Sequence, residues 1–170
     1  AVSRSALAEL GWSVIGVQQH GRERWRALVS RAPATTTPVG ARRWALKPAR
    51  RLLEACADLG VPRIYFAHGG AHLLHDLPDL PCEVLGLDWR VDLRRAARAL
   101  PDFVLQGNLD PGVLMGPDDE IERRTRAMLD RAPRTGYIAN LGHGITPDVD
   151  PDNAGALINA VHELSAPYHE

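Results

Sequence analysis

Polar residues and glycines gather at four places along the 170-residue chain, each directly behind a short apolar run. They are His68-Gly69-Gly70, Asp88-Trp89, Gln106-Gly107-Asn108-Leu109-Asp110-Pro111 and Asn140-Leu141-Gly142-His143-Gly144. Carboxylates, amides and an imidazole in such places can hold polar substrate groups or move protons, and glycine lets a ligand approach the backbone. The plainer reading of any one of them is that Gly, Asn and Asp shape the turn between a strand and a helix. His143 stands out because it sits between two glycines just past an apolar run, a poor place for a packed core histidine. There it can grip a carboxylate or exchange a proton near neutral pH. Asp88 and Asp110 are candidate catalytic carboxylates, although capping a helix or bracing a loop is the commoner duty of such residues.

Other chemistries find less support. His68, His72 and His75 look like a metal set, since helical spacing puts 72 and 75 on one face. No cysteine or carboxylate joins them at a known ligand spacing apart from Asp76, so no metal is expected. Cys56 falls on a helix inner face and reads as core, and Cys56 with Cys82 makes no disulfide framework, which suits a reducing cytosol. There is no phosphate-cradling glycine loop and no Gly-x-Ser-x-Gly elbow, so neither a nucleotide nor a serine nucleophile is expected.

The elements that must position these residues repeat regularly from about residue 41. Ala45, Ala49, Leu52, Leu53, Cys56 and Leu59 recur at helical spacing up to Gly60, with Pro48 marking a start or a kink. Short apolar runs at 63–67, 83–88, 103–107 and 137–141 read as buried strands. Between them fall a short helix around Ala71–Leu77 and a second with Leu93, Ala96, Ala97 and Leu100 on one face. A third begins at Pro117, carries Asp118, Asp119 and Glu120 in its first turn, and turns Ile121, Thr125, Met128 and Leu129 inward. Asp150 caps the last, with Pro151 at its start and Ala154, Leu157, Ile158 and Val161 inward. This is βα repeated four times, the pattern of parallel strands covered by helices, and doubly wound sheets and barrels both fit it. In either, ligands bind at the carboxyl ends of the strands, so the four polar stretches are expected on one rim. Before residue 41 the pattern weakens: Trp12–Val17 reads as a strand, Arg22–Ser30 as a helix and Ala34–Gly40 as a loop.

Composition bounds the rest. With 45% hydrophobic residues and a net charge of −1, the chain is globular, and bulk charge predicts binding to neither nucleic acid nor membrane. No apolar run is long enough to span a bilayer, and no signal peptide of the usual form opens the chain. Residues 1–60 hold ten Arg and Lys against four Asp and Glu, but the arginines fall on predicted helix faces without interleaved aromatics and read as solvated charge. A start at Ala1 in place of Met leads us to expect processing or truncation.

Three stretches now taken together, Gly86-Leu87-Asp88-Trp89, Leu105 to Pro111 and Tyr137 to Gly144, closely resemble the C-terminal half of the uroporphyrinogen decarboxylases. The tail Pro147-Asp148-Val149-Asp150-Pro151 and Ala160-Val161-His162-Glu163-Leu164-Ser165 extend the resemblance, which runs from about Trp44 to Tyr168. It implies a (β/α)8 TIM barrel, of which residues 41–170 are about the C-terminal half, behind a divergent segment 1–40 with no recognisable match. It implies decarboxylation of the acetate side chains of uroporphyrinogen III to methyls, giving coproporphyrinogen III in porphyrin and haem biosynthesis. The family works in the cytoplasm as a homodimer and needs no cofactor or metal, because a protonated pyrrole is itself the electron sink. Its aspartate, arginine pair and tyrosine lie in the N-terminal half, and nothing in residues 1–40 resembles those segments. A family Ser or Thr precedes the helix at Trp44; Ser30 is near that distance, but Val29-Ser30-Arg31-Ala32-Pro33 differs in context. Only His143 carries over, as a catalytic and substrate-binding residue. The 170 residues alone are therefore expected to be inactive. The alternative is a non-catalytic half-barrel remnant that binds carboxylates or a partner. A corrinoid or thiol methyltransferase of the same superfamily fits worse, for lack of a cysteine at any strand end.

Overall fold

A computed structural model describes residues 45–168 in full and, ahead of them, the backbone of four short strands. The chain divides into two compact units, Ala1–Gly86 and Leu87–Glu170.

The first unit holds β1 (Ser13–Gly16), β2 (Gln19–His20), β3 (Glu23–Arg24), β4 (Ala27–Ser30), α1 (Lys47–Ala55), β5 (Ile64–Ala67) and β6 (Val84–Gly86). β1 runs antiparallel to β4, while β4–β5 and β5–β6 are parallel pairs. The strand expected near Trp12–Val17 is β1. The helix expected over Arg22–Ser30 is absent: β3 and β4 occupy that stretch. Pairing of β4 on both sides satisfies its backbone and overrides the modest helix propensity of the arginine-rich run. The loop expected at 34–40 lies outside the described residues.

α1 starts with Pro48 in its first turn and buries Ala49, Leu52 and Leu53. It stops early. Cys56 caps it, a 3₁₀ turn follows at Ala57–Leu59, and Gly60 takes a left-handed φ of 64°. The helical phase is lost there, so Cys56 is only half-buried and Leu59 lies open to solvent, contrary to the core roles given them by periodicity. The short helix expected at 71–77 is also corrected, to two 3₁₀ turns at Gly70–Leu73 and Leu77–Asp79. Pro78 lacks the N–H that a continuous helix would need, and the tighter path still buries Leu73, Leu74 and Leu77. Arg63 joins the starts of β5 and β6. Its backbone N–H and its guanidinium both donate to the Glu83 carboxylate, at 2.6 and 2.5 Å.

The second unit holds α2 (Leu93–Ala99), β7 (Val104–Leu109), α3 (Asp118–Leu129), β8 (Tyr137–Leu141) and α4 (Pro151–Ser165). β7 and β8 are parallel, in register from Leu105↔Tyr137 to Leu109↔Leu141. α3 follows its sequence closely: Ile121, Thr125, Met128 and Leu129 are all buried, and the Thr125 hydroxyl donates to the Ile121 carbonyl at 2.7 Å. Pro117 is its cap and Asp118 its first residue. α2 is capped by Asp92, which accepts from the Arg95 N–H, and buries Leu93 and Ala96. α4 is capped by Asp150 with Pro151 first, as expected. Its inner face is not the expected one. Ala160 is its buried residue, Ala154, Leu157 and Val161 are half-buried, and Ile158 is 55% exposed. α4 packs on α3, and Leu157, Ile158 and Val161 face an open hollow of about 200 Å³ beside Ala139 and Asn140 of β8. Ile138 and Asn140 of β8 are exposed as well, so this strand is not covered on both faces.

Candidate functional site

The carboxyl ends of β7 and β8 carry the site. The Leu87 N–H donates to the Gln106 carbonyl at 2.7 Å, which lays the segment after β6 beside β7. Asn108, nearly buried, then locks that segment: its Nδ2 donates to the carbonyls of Asp88, at 3.0 Å, and Val91, at 2.7 Å. Next to it Gly107 has φ +131°, and a Cβ there would lie 2.8 Å from the Leu87 carbonyl oxygen. Only glycine fits both demands. The Tyr137 hydroxyl donates to the Gly107 carbonyl, and burial pushes its phenol well above the usual range, keeping it protonated. From β8, the Gly142 N–H donates to the Leu109 carbonyl at 2.7 Å, and a Cβ on Gly142 would stand 2.7 Å from Cα of Trp89. Residues 88–91 are thus held by β7 on one side and by the loop after β8 on the other. The space left by Gly107 and Gly142 is taken by neighbouring backbone, where the sequence reading reserved it for a ligand.

Asp88 is 1% exposed and accepts from the Arg90 N–H at 2.9 Å and from Arg90 Nη1 at 3.2 Å. Asp110 accepts from the Gly112 N–H at 2.9 Å and caps the turn Pro111–Met115. Both carboxylates brace loops, the plainer of their two readings. The Arg90 guanidinium carbon lies 4.0 Å from the Trp89 ring centroid. The His143 ring meets Trp89 edge to face, at 5.9 Å and 80°. His143 is exposed, with Nδ1 3.4 Å from the Gly144 carbonyl oxygen. His143 and Asn108 therefore lie at the same end of the parallel pair, and three of the four polar stretches meet there. Arg90 and the locking role of Asn108 were missed by sequence reasoning. The clue to Arg90 was its place two residues after Asp88, directly behind the Asp88-Trp89 stretch.

In the first unit, His68 follows the carboxyl end of β5 and is half-buried, while His72 and His75 are exposed. Among the described residues no three His, Cys, Asp or Glu side chains are placed to share a metal ion. Burial pushes the Cys82 thiol up to about 11, so it is a protonated core thiol and not a ready ligand. A hollow of about 430 Å³ lies along α2 beside Asp92, Arg94, Arg95 and Arg98, and not at the strand ends.

Residues 32–164 match the family model of uroporphyrinogen decarboxylase (URO-D). Curated relatives named uroporphyrinogen decarboxylase include one from Geobacillus kaustophilus, 46% identical over 71% of this chain and 36% of its own length. One from Syntrophotalea carbinolica is 45% identical over 76% and 38%. One from Streptomyces griseus is 40% identical over 94% of this chain and 44% of its own length, an alignment that reaches into the first 40 residues. The chain thus spans about two fifths of the length of these relatives. Among solved structures, a methyltransferase from Methanosarcina mazei superposes with a TM-score of 0.67 over 81% of this chain and 42% of its own. At 21% identity that likeness speaks to the fold alone. The parallel strands with their alternating helices, read with these matches, are part of a (β/α)8 barrel. With the family model covering most of its length, the chain belongs to the uroporphyrinogen decarboxylase family.

Proposed function

We propose that this chain supplies the His143 rim of an enzyme that decarboxylates the acetate groups of uroporphyrinogen III to methyls, yielding coproporphyrinogen III without a cofactor. The observation that carries the reading is the placement of His143. It is an exposed imidazole at the carboxyl end of parallel strands, on a loop braced against Trp89.

In the proposed reaction a pyrrole carbon next to the acetate takes a proton. The C–C bond to the carboxylate then breaks, CO2 leaves, and the electron pair flows into the protonated ring. A second proton on the former acetate carbon completes the methyl group, and loss of the first proton from the ring carbon restores the pyrrole. His143 serves this sequence by gripping a substrate carboxylate or by passing a proton to or from the substrate. The rigid seat of residues 88–91 favours such work, because fixed groups need no reorganisation as charge develops. Among the described residues no helix is long and apolar enough to cross a membrane. A cytoplasmic homodimer that binds neither nucleic acid nor membrane completes the proposal.

The 170 residues alone are expected to show no turnover. The test replaces the matching stretch of the Geobacillus kaustophilus relative with residues 32–164 of this chain and follows coproporphyrin by fluorescence chromatography after anaerobic incubation. Turnover supports the reading. A folded but inactive chimera would favour the non-catalytic half-barrel module instead.

A further inference from the structure

We infer that Arg90 is a second carboxylate anchor of the same rim, working beside His143; this rests on the reading just given. The argument starts from Asp88. A carboxylate that is 1% exposed needs a charge partner and hydrogen bonds, and Arg90 supplies both, from its backbone N–H and from Nη1. The same guanidinium stacks on Trp89 at 4.0 Å. It is therefore held by an ion pair and by a ring, on a loop itself pinned by Asn108 and by the close approach of Gly142.

Even so, the Arg90 side chain is 53% exposed, and its Nε and Nη2 make no hydrogen bond among the described residues. Other arginines of this unit are spent differently. Arg123 and Arg126 each pair with a glutamate of their own helix α3. Arg90 instead pairs with a buried acid while its outer edge stays open. That edge is the planar fork which matches a carboxylate with two parallel N–H donors. Because the guanidinium is already placed, a ligand carboxylate meets it with little further loss of side-chain freedom. His143 bears on the same indole. A ligand carrying several carboxylates can therefore engage both side chains, and the octacarboxylate uroporphyrin should gain more from them than the tetracarboxylate coproporphyrin.

The test is calorimetric titration of the 170-residue chain with uroporphyrin and with coproporphyrin, for the wild type, R90Q, R90K and H143A. The expected result is tighter binding of uroporphyrin by the wild type and a loss of about tenfold in R90Q, equivalent to ~1.4 kcal/mol. The salt dependence of uroporphyrin binding should fall in the same variant. R90K keeps a cation beside Asp88 but not the planar fork, so it should retain wild-type stability and still bind several-fold more weakly; it carries the test should R90Q lose its fold. A folded R90Q within about twofold of the wild type, or a wild type that binds neither porphyrin, overturns the inference. Weakening by H143A but not by R90Q sinks Arg90 alone and leaves the proposed site standing. Weakening by R90Q but not by H143A supports Arg90 and counts against His143.

Discussion

Asn108→Asp exchanges one nitrogen for oxygen at nearly constant volume, in the side chain that locks residues 88–91. In the native unit Nδ2 donates to two carbonyls, at 3.0 and 2.7 Å, from a position only 9% exposed. Each bond contributes a net of about 0.5–1.5 kcal/mol, and each acceptor left unpaired in a buried site costs about 1–3 kcal/mol. Aspartate removes both donors and sets a carboxylate oxygen against two carbonyl oxygens. A loss of about 3–5 kcal/mol follows, a large share of the roughly 5–15 kcal/mol that holds a domain together. Asn108→Ala, which removes the donors without adding repulsion, should cost about 2 kcal/mol. Urea unfolding followed by tryptophan fluorescence reads both, and limited trypsin digestion should reveal new cleavage after Arg90 as the loop comes free. The pH dependence gives a further check. Burial against carbonyls raises the pKa of the new carboxyl in the folded chain, so the native state there binds more protons than the unfolded one. The deficit of the Asp variant should accordingly shrink as the pH falls from 7 toward about 4. An Asp variant with the wild-type urea midpoint and no cleavage after Arg90 would refute the reasoning.

Two further predictions concern the first unit. The Arg63 hydrogen bond holds the Glu83 carboxyl below its ordinary range. A lowered folded pKa contributes stability above the unfolded pKa and loses it as pH falls through the folded value. With Glu83 half exposed, E83Q should cost at most about 1 kcal/mol at pH 7 and almost nothing near pH 3, and an equal gap in urea midpoint at both pH values would contradict this. Cys82, buried and with its thiol pushed up to about 11, should resist iodoacetamide at pH 8 in the folded chain while half-buried Cys56 is labelled first. Mass spectrometry of the alkylated peptides decides, and faster labelling of Cys82 would show that the core packing is wrong.

What could be read from the sequence depended on how local its cause was. In α3 the acidic first turn, the apolar phase and the length all agree, and Ile121, Thr125, Met128 and Leu129 are buried as that phase requires. The Asp150 cap with Pro151 is equally local. Ile158 has the right phase too, yet burial needs a neighbour, and periodicity does not supply one. Arg22–Ser30 has residues that a helix accepts, but strand pairing on both sides of β4 decides its state. The 71–77 stretch has helical spacing, and Pro78 with the left-handed Gly69 breaks it into turns. At the rim, the glycines were recognised as points of close approach, but only the fold reveals that Trp89 and Leu87 are what approach Gly142 and Gly107. Asp88 and Arg90 stand two apart in sequence, but the force of the pair as an anchor comes from the burial of Asp88 and the stacking on Trp89, and neither is written in the order of residues.

His143 stands at the centre of the account, and its removal from a working enzyme tests it most directly. In the chimera carrying residues 32–164, H143A and H143Q should be compared with the parent by the rate of coproporphyrin formation under anaerobic conditions. Circular dichroism of each variant should match the parent, which checks that the fold is intact before the rates are compared. Loss of a proton-transfer group slows catalysis by about 10²–10⁴-fold, and loss of a carboxylate grip raises KM with kcat nearly unchanged. Either outcome is the predicted one, and the split between kcat and KM assigns the role. An active chimera whose kcat and KM are both unmoved by H143A would contradict the account.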